Sequence, residues 1–185
     1  IFLILKRKNV TQMTPVQPAP ELEKLLSEGR KITIISHFNP DGDAIGSSIG
    51  MQRYLESRGT SSTVVIPSSI PAFLDFLDPE RRIICYTCDK EKAVAAVKVA
   101  ELILCLDFNR LDRTEWLAEH ISSSSAAKVL IDHHLTPEPS SFDLIISDPG
   151  ASSICCADEK RKPTPMQELF APFCPGTLAF LRKLW

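Results

Sequence analysis

Residues 31–43 read KITIISHFNPDGD, an apolar, β-branched run that turns abruptly polar. The first part, residues 31–37, predicts a β-strand, because β-branched side chains are enriched in strands. Asn, Pro, Asp and Gly then predict a tight turn, and either Asp41 or Asp43 can cap a helix that follows over residues 44–58. The stretch therefore predicts one strand-turn-helix unit.

The same alternation extends along the chain on both sides of this unit. A short amphipathic helix is predicted over residues 21–29, where leucines recur at helical spacing before a terminal Gly. Further strands are predicted over 62–67, 82–86, 101–108, 127–131 and 142–147, and further helices over 71–77, 90–100 and 111–121. Continuous apolar runs such as residues 102–106 indicate strands covered on both faces. The sequence thus predicts an α/β fold with a Rossmann-like open parallel sheet flanked by helices.

Composition narrows the classes of function. Lys and Arg number 21 against 23 Asp and Glu, a net charge of −2, which excludes a strongly basic protein that coats nucleic acid. Six cysteines in 185 residues are too few for a disulfide scaffold and favour a reducing, cytoplasmic environment. Cys85 and Cys88 have Cys-x-x-Cys spacing but no second pair, so they are predicted to be ordinary reduced cysteines.

The two ends of the chain differ from its middle. The apolar run at residues 1–5 is too short to cross a bilayer, so no membrane association is predicted, and residues 1–20 are expected to form a disordered leader. Residues 1–12 are interpreted as upstream translation, because the chain begins without Met. After residue 153, repeated prolines interrupt any periodicity, and residues 154–185 are predicted to be an atypical tail, frame-shifted or disordered. The folded domain is placed at residues 21–153.

Imidazole and carboxylate side chains follow three of the predicted strands. Because the carboxyl ends of parallel strands meet at one edge of the sheet, these groups are expected to converge there. Carboxylates mixed with imidazoles, without thiolates, favour Mn²⁺, Mg²⁺ or Fe²⁺ over a structural zinc site. So many ligands suit two ions better than one. The candidate residues are His37, Asp41 and Asp43 after the first strand, Asp107 after another, and Asp132, His133 and His134 after a third.

Two bridged cations would polarise a phosphoryl group and activate water, so phosphoester hydrolysis is the expected reaction. A weaker signal comes from Gly42 and Gly46, which would let backbone N–H groups and the hydroxyl of Ser47 or Ser48 approach a bound anion. The segment lacks the Lys of a nucleotide-binding P-loop.

The segments SHFNPDGDAIGSSIG, LDFN and IDHH, in this order, resemble motifs I, II and III of the DHH phosphoesterase superfamily. The stretch from about residue 21 to residue 153 is similar to its oligoribonuclease and pAp-phosphatase (nanoRNase) branch, pAp being 3′-phosphoadenosine 5′-phosphate. The resemblance implies that His37 and Asp41 hold one manganese ion, Asp43 and His133 hold the other, and Asp107 bridges the two.

The resemblance also implies that His134 contacts the scissile phosphate or orients the nucleophile, and that Asp132 braces the histidines. The family continues with a Thr-Asp-Thr-Gly-like motif IV and a C-terminal DHHA1 domain, and neither is found in this sequence. The chain is therefore interpreted as truncated or frame-shifted after residue 153, with impaired activity.

The implied substrates are short oligoribonucleotides and pAp. Alternatives left open are hydrolysis of polyphosphate, pyrophosphate or a cyclic dinucleotide, and a catalytically inactive remnant of the enzyme. The sequence also leaves protein partners and a homodimeric state open.

Overall fold

β-Branched and leucine-rich runs form six parallel strands in the part of the chain that the structure describes. This is a computed structural model, and it describes residues 20–27 and 29–147. The strands are β1 (Ile32–Ile35), β2 (Ser62–Ile66), β3 (Ile84–Cys85), β4 (Leu102–Leu106), β5 (Ala127–Asp132) and β6 (Leu144–Ser147). They pair in the order β3-β2-β1-β4-β5-β6. The α/β fold with an open parallel sheet is thereby confirmed.

Helices connect the strands. The α-helices among the described residues are α1 (Pro20–Ser27), α2 (Gly42–Ser57), α3 (Lys90–Val99) and α4 (Leu117–Ser123), and shorter 3₁₀ helices span Ala72–Leu77, Leu111–Thr114 and Pro139–Ser141. Gly59 follows α2 with a φ of +75°, a left-handed conformation that costs glycine little and ends the helix where the sequence predicts. None of the described helices has the length and hydrophobicity that crossing a membrane needs.

The sheet is covered on both faces because successive side chains of a strand point to opposite sides. In β4, Leu102, Leu104 and Leu106 belong to one apolar cluster, together with buried leucines and isoleucines of α1 and α2. Ile103 and Cys105 belong to a second cluster, which includes buried residues of α3 and α4. The two layers explain why the strands are almost continuously apolar.

The strand order sets the position of any ligand site. The chain moves outward in one direction from β1 to β2 and β3, then crosses back to β4 on the other side of β1. In open α/β sheets, ligands bind outside the carboxyl ends of the strands at this reversal, where the adjacent loops diverge. The gap beyond β1 and β4 is therefore the expected crevice, and the predicted ligand residues follow these two strands and β5, which lies next to β4.

The prediction of one continuous helix over residues 111–121 was wrong. The segment divides into the 3₁₀ helix Leu111–Thr114 and helix α4, and Glu115 between them has a φ of +49°. A non-glycine residue in this left-handed region interrupts a helix. The carbonyl of Arg113 accepts a hydrogen bond of 2.8 Å from the N–H of Phe38 in the loop after β1, a contact that only the tertiary structure supplies.

The strand predicted over residues 82–86 is shortened to β3, at the edge of the sheet. The two carboxylate oxygens of Asp78 accept hydrogen bonds of 2.9 Å from the backbone N–H groups of Arg82 and Ile83. Local capping of this kind competes with strand pairing. The predictions for the leader up to residue 19, and for the chain beyond residue 147, lie outside the described residues.

Candidate metal centre

His37 lies just beyond the end of β1 and is buried. Its Nδ1 is 2.9 Å from the carbonyl oxygen of Phe38. A carbonyl only accepts, so this contact assigns the proton to Nδ1 and leaves the lone pair on Nε2. That Nε2 atom lies 3.9 Å from Oδ2 of Asp107, so His37 presents a ligand atom toward the end of β4.

The loop after His37 places two carboxylates at the start of α2. Asp41 is the N-cap residue, and its Oδ1 accepts from the N–H groups of Asp43 and Ala44 at 2.9 and 3.0 Å. Asp43 lies in the first turn of the same helix. The partial positive charge of a helix N-terminus stabilises carboxylates in both positions. The capping and ligand interpretations of Asp41 are thus compatible.

Asp107 is at the centre of the arrangement. It directly follows β4, is buried, and has a φ of +65°. This left-handed conformation ends the strand and is one that Asp and Asn tolerate better than most residues. One carboxylate oxygen faces His37, and the other, Oδ1, lies 3.1 Å from Nε2 of His133. The single carboxylate therefore links the loops that follow β1 and β5.

The Asp132-His133-His134 segment continues from β5. Oδ1 of Asp132 accepts a hydrogen bond of 2.7 Å from Nδ1 of His134, so Asp132 positions one of the two histidines. Its other oxygen, Oδ2, is buried and has no hydrogen-bond partner among the described residues. His133 points its Nε2 toward Asp107 and also lies 4.0 Å from Oδ2 of Asp43. All the predicted ligand residues therefore reach this one edge of the sheet.

All of these residues except Asp43 fall into two groups that have the chemistry of a metal site. One contains His37, Asp41 and Asp107, and the other contains Asp107, Asp132, His133 and His134. Within each group, ligand atoms lie within 4.8 Å of one another. Atoms that share one cation at bonds of about 2.1 Å lie at most about 4.2 Å apart, and the measured pairs of 3.1, 3.9 and 4.0 Å satisfy that limit.

The donor set and its geometry therefore fit divalent cations. Asp107 is common to both groups, which is the arrangement that a carboxylate bridging two ions requires. The buried Oδ2 atom of Asp132 is an acceptor in need of a positively charged or proton-donating partner. Membership of the second group also brings Asp132 and His134 within reach of an ion, whereas the resemblance assigns them supporting roles.

Comparison with known proteins identifies the family. A sequence profile described as the N-terminal domain of the DHH family matches residues 31–158, more than half of the chain. The chain belongs to the DHH family. A comparison with curated proteins found no match.

Solved structures similar to this DHH-family chain include an exopolyphosphatase-related protein from Bacteroides fragilis. It has 31% sequence identity and a TM-score of 0.70, and the alignment covers 87% of this chain and 44% of that protein. The chain thus spans less than half the length of this relative. A second structure is RecJ from Thermus thermophilus in complex with Mn²⁺, with 19% identity, a TM-score of 0.41, and coverage of 79% of this chain and 18% of RecJ.

Two serines that the sequence predicts near a bound anion in this DHH-family site form hydrogen bonds within their own helix instead. The hydroxyl groups of Ser47 and Ser48 are buried and donate to the carbonyl of Ala44, at 3.1 and 2.8 Å. Hydroxyl groups used within their own helix are not offered to an anion at the sheet edge. The expectation that Ser47 or Ser48 approaches a bound anion is therefore wrong.

Two supporting contacts of the site were not predicted. The hydroxyl of Ser68 accepts a hydrogen bond of 2.8 Å from the N–H of Asn39, which joins the end of β2 to the loop that carries Asp41. The side chain of Asn109 donates to the carbonyl of Leu135 at 2.7 Å, which ties the loop after Asp107 to the segment after His134. Asn109 belongs to the LDFN segment and could have been suspected, but Ser68 carries no sequence signal.

Proposed function

We propose that this DHH-family domain hydrolyses phosphoesters with two divalent cations, manganese being the expected ion. The observation that carries the proposal is the position of Asp107, whose two carboxylate oxygens face imidazoles of different loops. Family membership supports the same class of chemistry. Mg²⁺ and Fe²⁺ suit the same oxygen and imidazole ligands and are the alternatives to manganese.

Each site residue has a distinct part in this proposal. His37 and Asp41 would hold one cation, Asp43 and His133 the other, and Asp107 both. Cations bound here would supply positive charge that polarises a phosphoryl group and lowers the pKa of a coordinated water. The carboxylates of Asp41 and Asp43 lie at a helix N-terminus, a position that favours the negative charge with which they would bind a cation.

The side chain of His134 is accessible to substrate. Its side chain is 43% exposed, and its Nδ1 is occupied by the hydrogen bond to Asp132. The Nε2 atom is therefore the one available to a phosphate oxygen or to the attacking water. We assign His134 to contact with the scissile phosphate and Asp132 to its positioning.

Asp132→Ala should reduce kcat about 10- to 100-fold with a smaller change in KM, because His134 loses the acceptor that orients its ring. Asp132→Asn retains an oxygen that can accept from Nδ1, and it should restore part of the lost rate. Steady-state kinetics of both variants measure the loss of rate. Circular dichroism checks that both variants are folded. Equal losses in the Ala and Asn variants would contradict the positioning role.

The proposed substrates are short oligoribonucleotides and pAp, and an exposed aromatic residue supports a substrate with a base. Trp116 is 56% exposed and packs edge-to-face on Phe38, with ring centroids 5.7 Å apart. Phe38 directly follows His37, so this aromatic pair borders the metal-ligand loops. An exposed indole beside a phosphate-binding site is a surface on which a nucleobase can stack.

The second candidate substrate class is inorganic polyphosphate. A specific observation favours it, since the Bacteroides fragilis protein of 31% identity is described as exopolyphosphatase-related. Polyphosphate has no base, so Trp116 distinguishes the two candidates.

Trp116→Ala should raise KM for pAp or a dinucleotide about 5- to 150-fold, because stacking on an aromatic side chain contributes about 1–3 kcal/mol per base. Hydrolysis of tripolyphosphate should change little. Trp116→Phe retains a flat ring and serves as the matched control, with KM expected near that of the unaltered protein. Unchanged KM for nucleotides in Trp116→Ala would remove the aromatic argument and favour polyphosphate.

The proposed function is tested with the purified full chain, Mn²⁺, and four substrates offered separately: pAp, a diribonucleotide, tripolyphosphate and pyrophosphate. Bound metal is measured in parallel by elemental analysis. Release of inorganic phosphate or mononucleotide that requires the metal supports the proposal. Stoichiometric manganese without any product would identify a metal-binding domain that does not hydrolyse these compounds, and would overturn it.

A further inference from the structure

Cys85 and Cys88 lie outside the metal centre. They are at the carboxyl end of β3, the outermost strand on one side of the sheet, whereas the metal-ligand residues follow β1, β4 and β5. Cys85 is the last residue of β3, and Cys88 immediately precedes Asp89, the N-cap residue of α3. Cys88 is exposed and Cys85 is partly buried, and both are free thiols. Both also line a cleft of about 460 Å³, which is within the size range of small-molecule sites.

The backbone between the two cysteines forms a tight turn. The carbonyl of Cys85 accepts hydrogen bonds from the N–H groups of Cys88 and Asp89, at 3.2 and 2.8 Å. A four-residue turn of this kind brings its first and last Cα atoms within about 7 Å, which overlaps the range of about 4.4–6.8 Å that a disulfide requires. The turn therefore holds the two residues in a separation range that a disulfide can span.

The surroundings of Cys88 affect its pKa. A hydrogen bond with the Cys85 thiol, together with burial, raises the pKa of Cys88. The thiol of Cys85 is 3.2 Å from the hydroxyl of Thr87 as well. The thiolate that attacks a disulfide is therefore a minor form of Cys88 at neutral pH, so oxidation of the pair should be slow there and should become faster as the pH rises.

We propose that Cys85 and Cys88 form a dithiol site that is reversibly oxidised to an intramolecular disulfide by a small-molecule disulfide such as glutathione disulfide. The thiolate of exposed Cys88 attacks one sulfur of the oxidant and releases one glutathione. The thiolate of Cys85 then attacks the Cys88 sulfur of this mixed disulfide and releases the second glutathione. In sum, two protein thiols are oxidised and one glutathione disulfide is reduced to two glutathione molecules.

Cys105 provides an internal contrast. It lies in β4, its side chain is completely buried, and burial raises the pKa of its thiol. A completely buried thiol is out of reach of a small-molecule disulfide, whereas the Cys88 thiol is exposed. Exposure and pairing, rather than the presence of a thiol alone, distinguish the site at Cys85 and Cys88.

The test uses the purified full chain equilibrated in buffers of different glutathione to glutathione disulfide ratio. After acid quenching, free thiols are alkylated with N-ethylmaleimide and the protein is digested with trypsin. Cleavage after Arg82 and Lys90 yields one peptide, residues 83–90, that contains both cysteines and no other. Cleavage after Lys98 and Arg110 yields residues 99–110, which contain Cys105 alone.

In oxidising buffer, the 83–90 peptide should lose both alkyl groups and be about 2 Da lighter than its reduced, unalkylated form, for the two hydrogens removed. Dithiothreitol should restore double alkylation, and Cys105 should remain reduced throughout the same samples. In Cys85→Ser the reaction should stop at a mixed disulfide of Cys88 with glutathione. Double alkylation of residues 83–90 at every ratio, or a mixed disulfide in the unaltered protein that never closes, would overturn the proposal.

Discussion

Asp107→Asn should lower the rate of phosphoester hydrolysis by this DHH-family domain at least about 10³-fold, which corresponds to roughly 4 kcal/mol of transition-state stabilisation. The reason is that Asp107 is common to both ligand groups, so the loss of its negative charge weakens both cation positions at once. No other carboxylate among the described residues is a member of both groups.

The asparagine substitution is chosen because it alters charge while preserving shape and backbone. Asp107 has a φ of +65°, and Asn is one of the few residues that adopt this conformation at little cost. Its amide can still contact the imidazoles of His37 and His133. A loss of function in Asp107→Asn therefore reports the missing charge rather than misfolding, and a thermal unfolding measurement verifies this.

Calorimetric titration with Mn²⁺ measures the binding itself. We expect about two ions for the unaltered chain and no tight binding for Asp107→Asn. Asp112→Asn is the matched control, because Asp112 lies in the same connection after β4 but is exposed and pairs with Arg110. Binding of two ions with unchanged affinity by Asp107→Asn would contradict a shared carboxylate.

His133→Ala should have the second largest effect, a rate lower by about 10²- to 10⁴-fold. His133 contacts Asp107 and lies near Asp43, but it is not part of the group formed by His37, Asp41 and Asp107. Its removal should therefore eliminate one of two bound ions and leave the other. This outcome differs in stoichiometry from that of Asp107→Asn, where both are lost.

Mn²⁺ binding and phosphoester hydrolysis are measured for His133→Ala, and His120→Ala is the matched control. His120 lies in α4 and packs against Tyr86, on the face of the sheet occupied by α3 and α4. The control should bind two ions and retain its activity. Two ions in His133→Ala, at the affinity of the unaltered protein, would show that this imidazole is not a ligand.

Much of the site could be predicted because its chemistry is contiguous with strand ends. The segments around His37, Asp107 and His133 each combine an apolar strand with polar residues that directly follow it. In a parallel sheet all such residues are carried to one edge, whatever their separation along the chain. This rule explains why residues about 70 positions apart, such as His37 and Asp107, now lie with side-chain atoms 3.9 Å apart.

Contacts between loops could not be predicted in the same way. The break at Glu115 and the exposed position of Trp116 accompany a hydrogen bond between Phe38 and Arg113, which are far apart in sequence. Periodicity alone indicated a continuous helix there. That prediction failed because helix propensity is a weak preference that tertiary contacts override. The shortening of β3 by Asp78 has a similar origin, because a side chain competes with the strand for backbone N–H groups.

The order of apolar and polar residues along the chain was sufficient to identify an alternating α/β domain whose imidazoles and carboxylates follow strands. These properties depend on local patterns of apolar and polar residues, which neighbouring positions along the chain specify. Packing between distant segments, by contrast, places β1 beside β4 and brings Asp107, in its left-handed conformation, to face both His37 and His133. Strand order and side-chain convergence depend on packing between residues distant in sequence. A local pattern of residues does not specify which distant segments pack together.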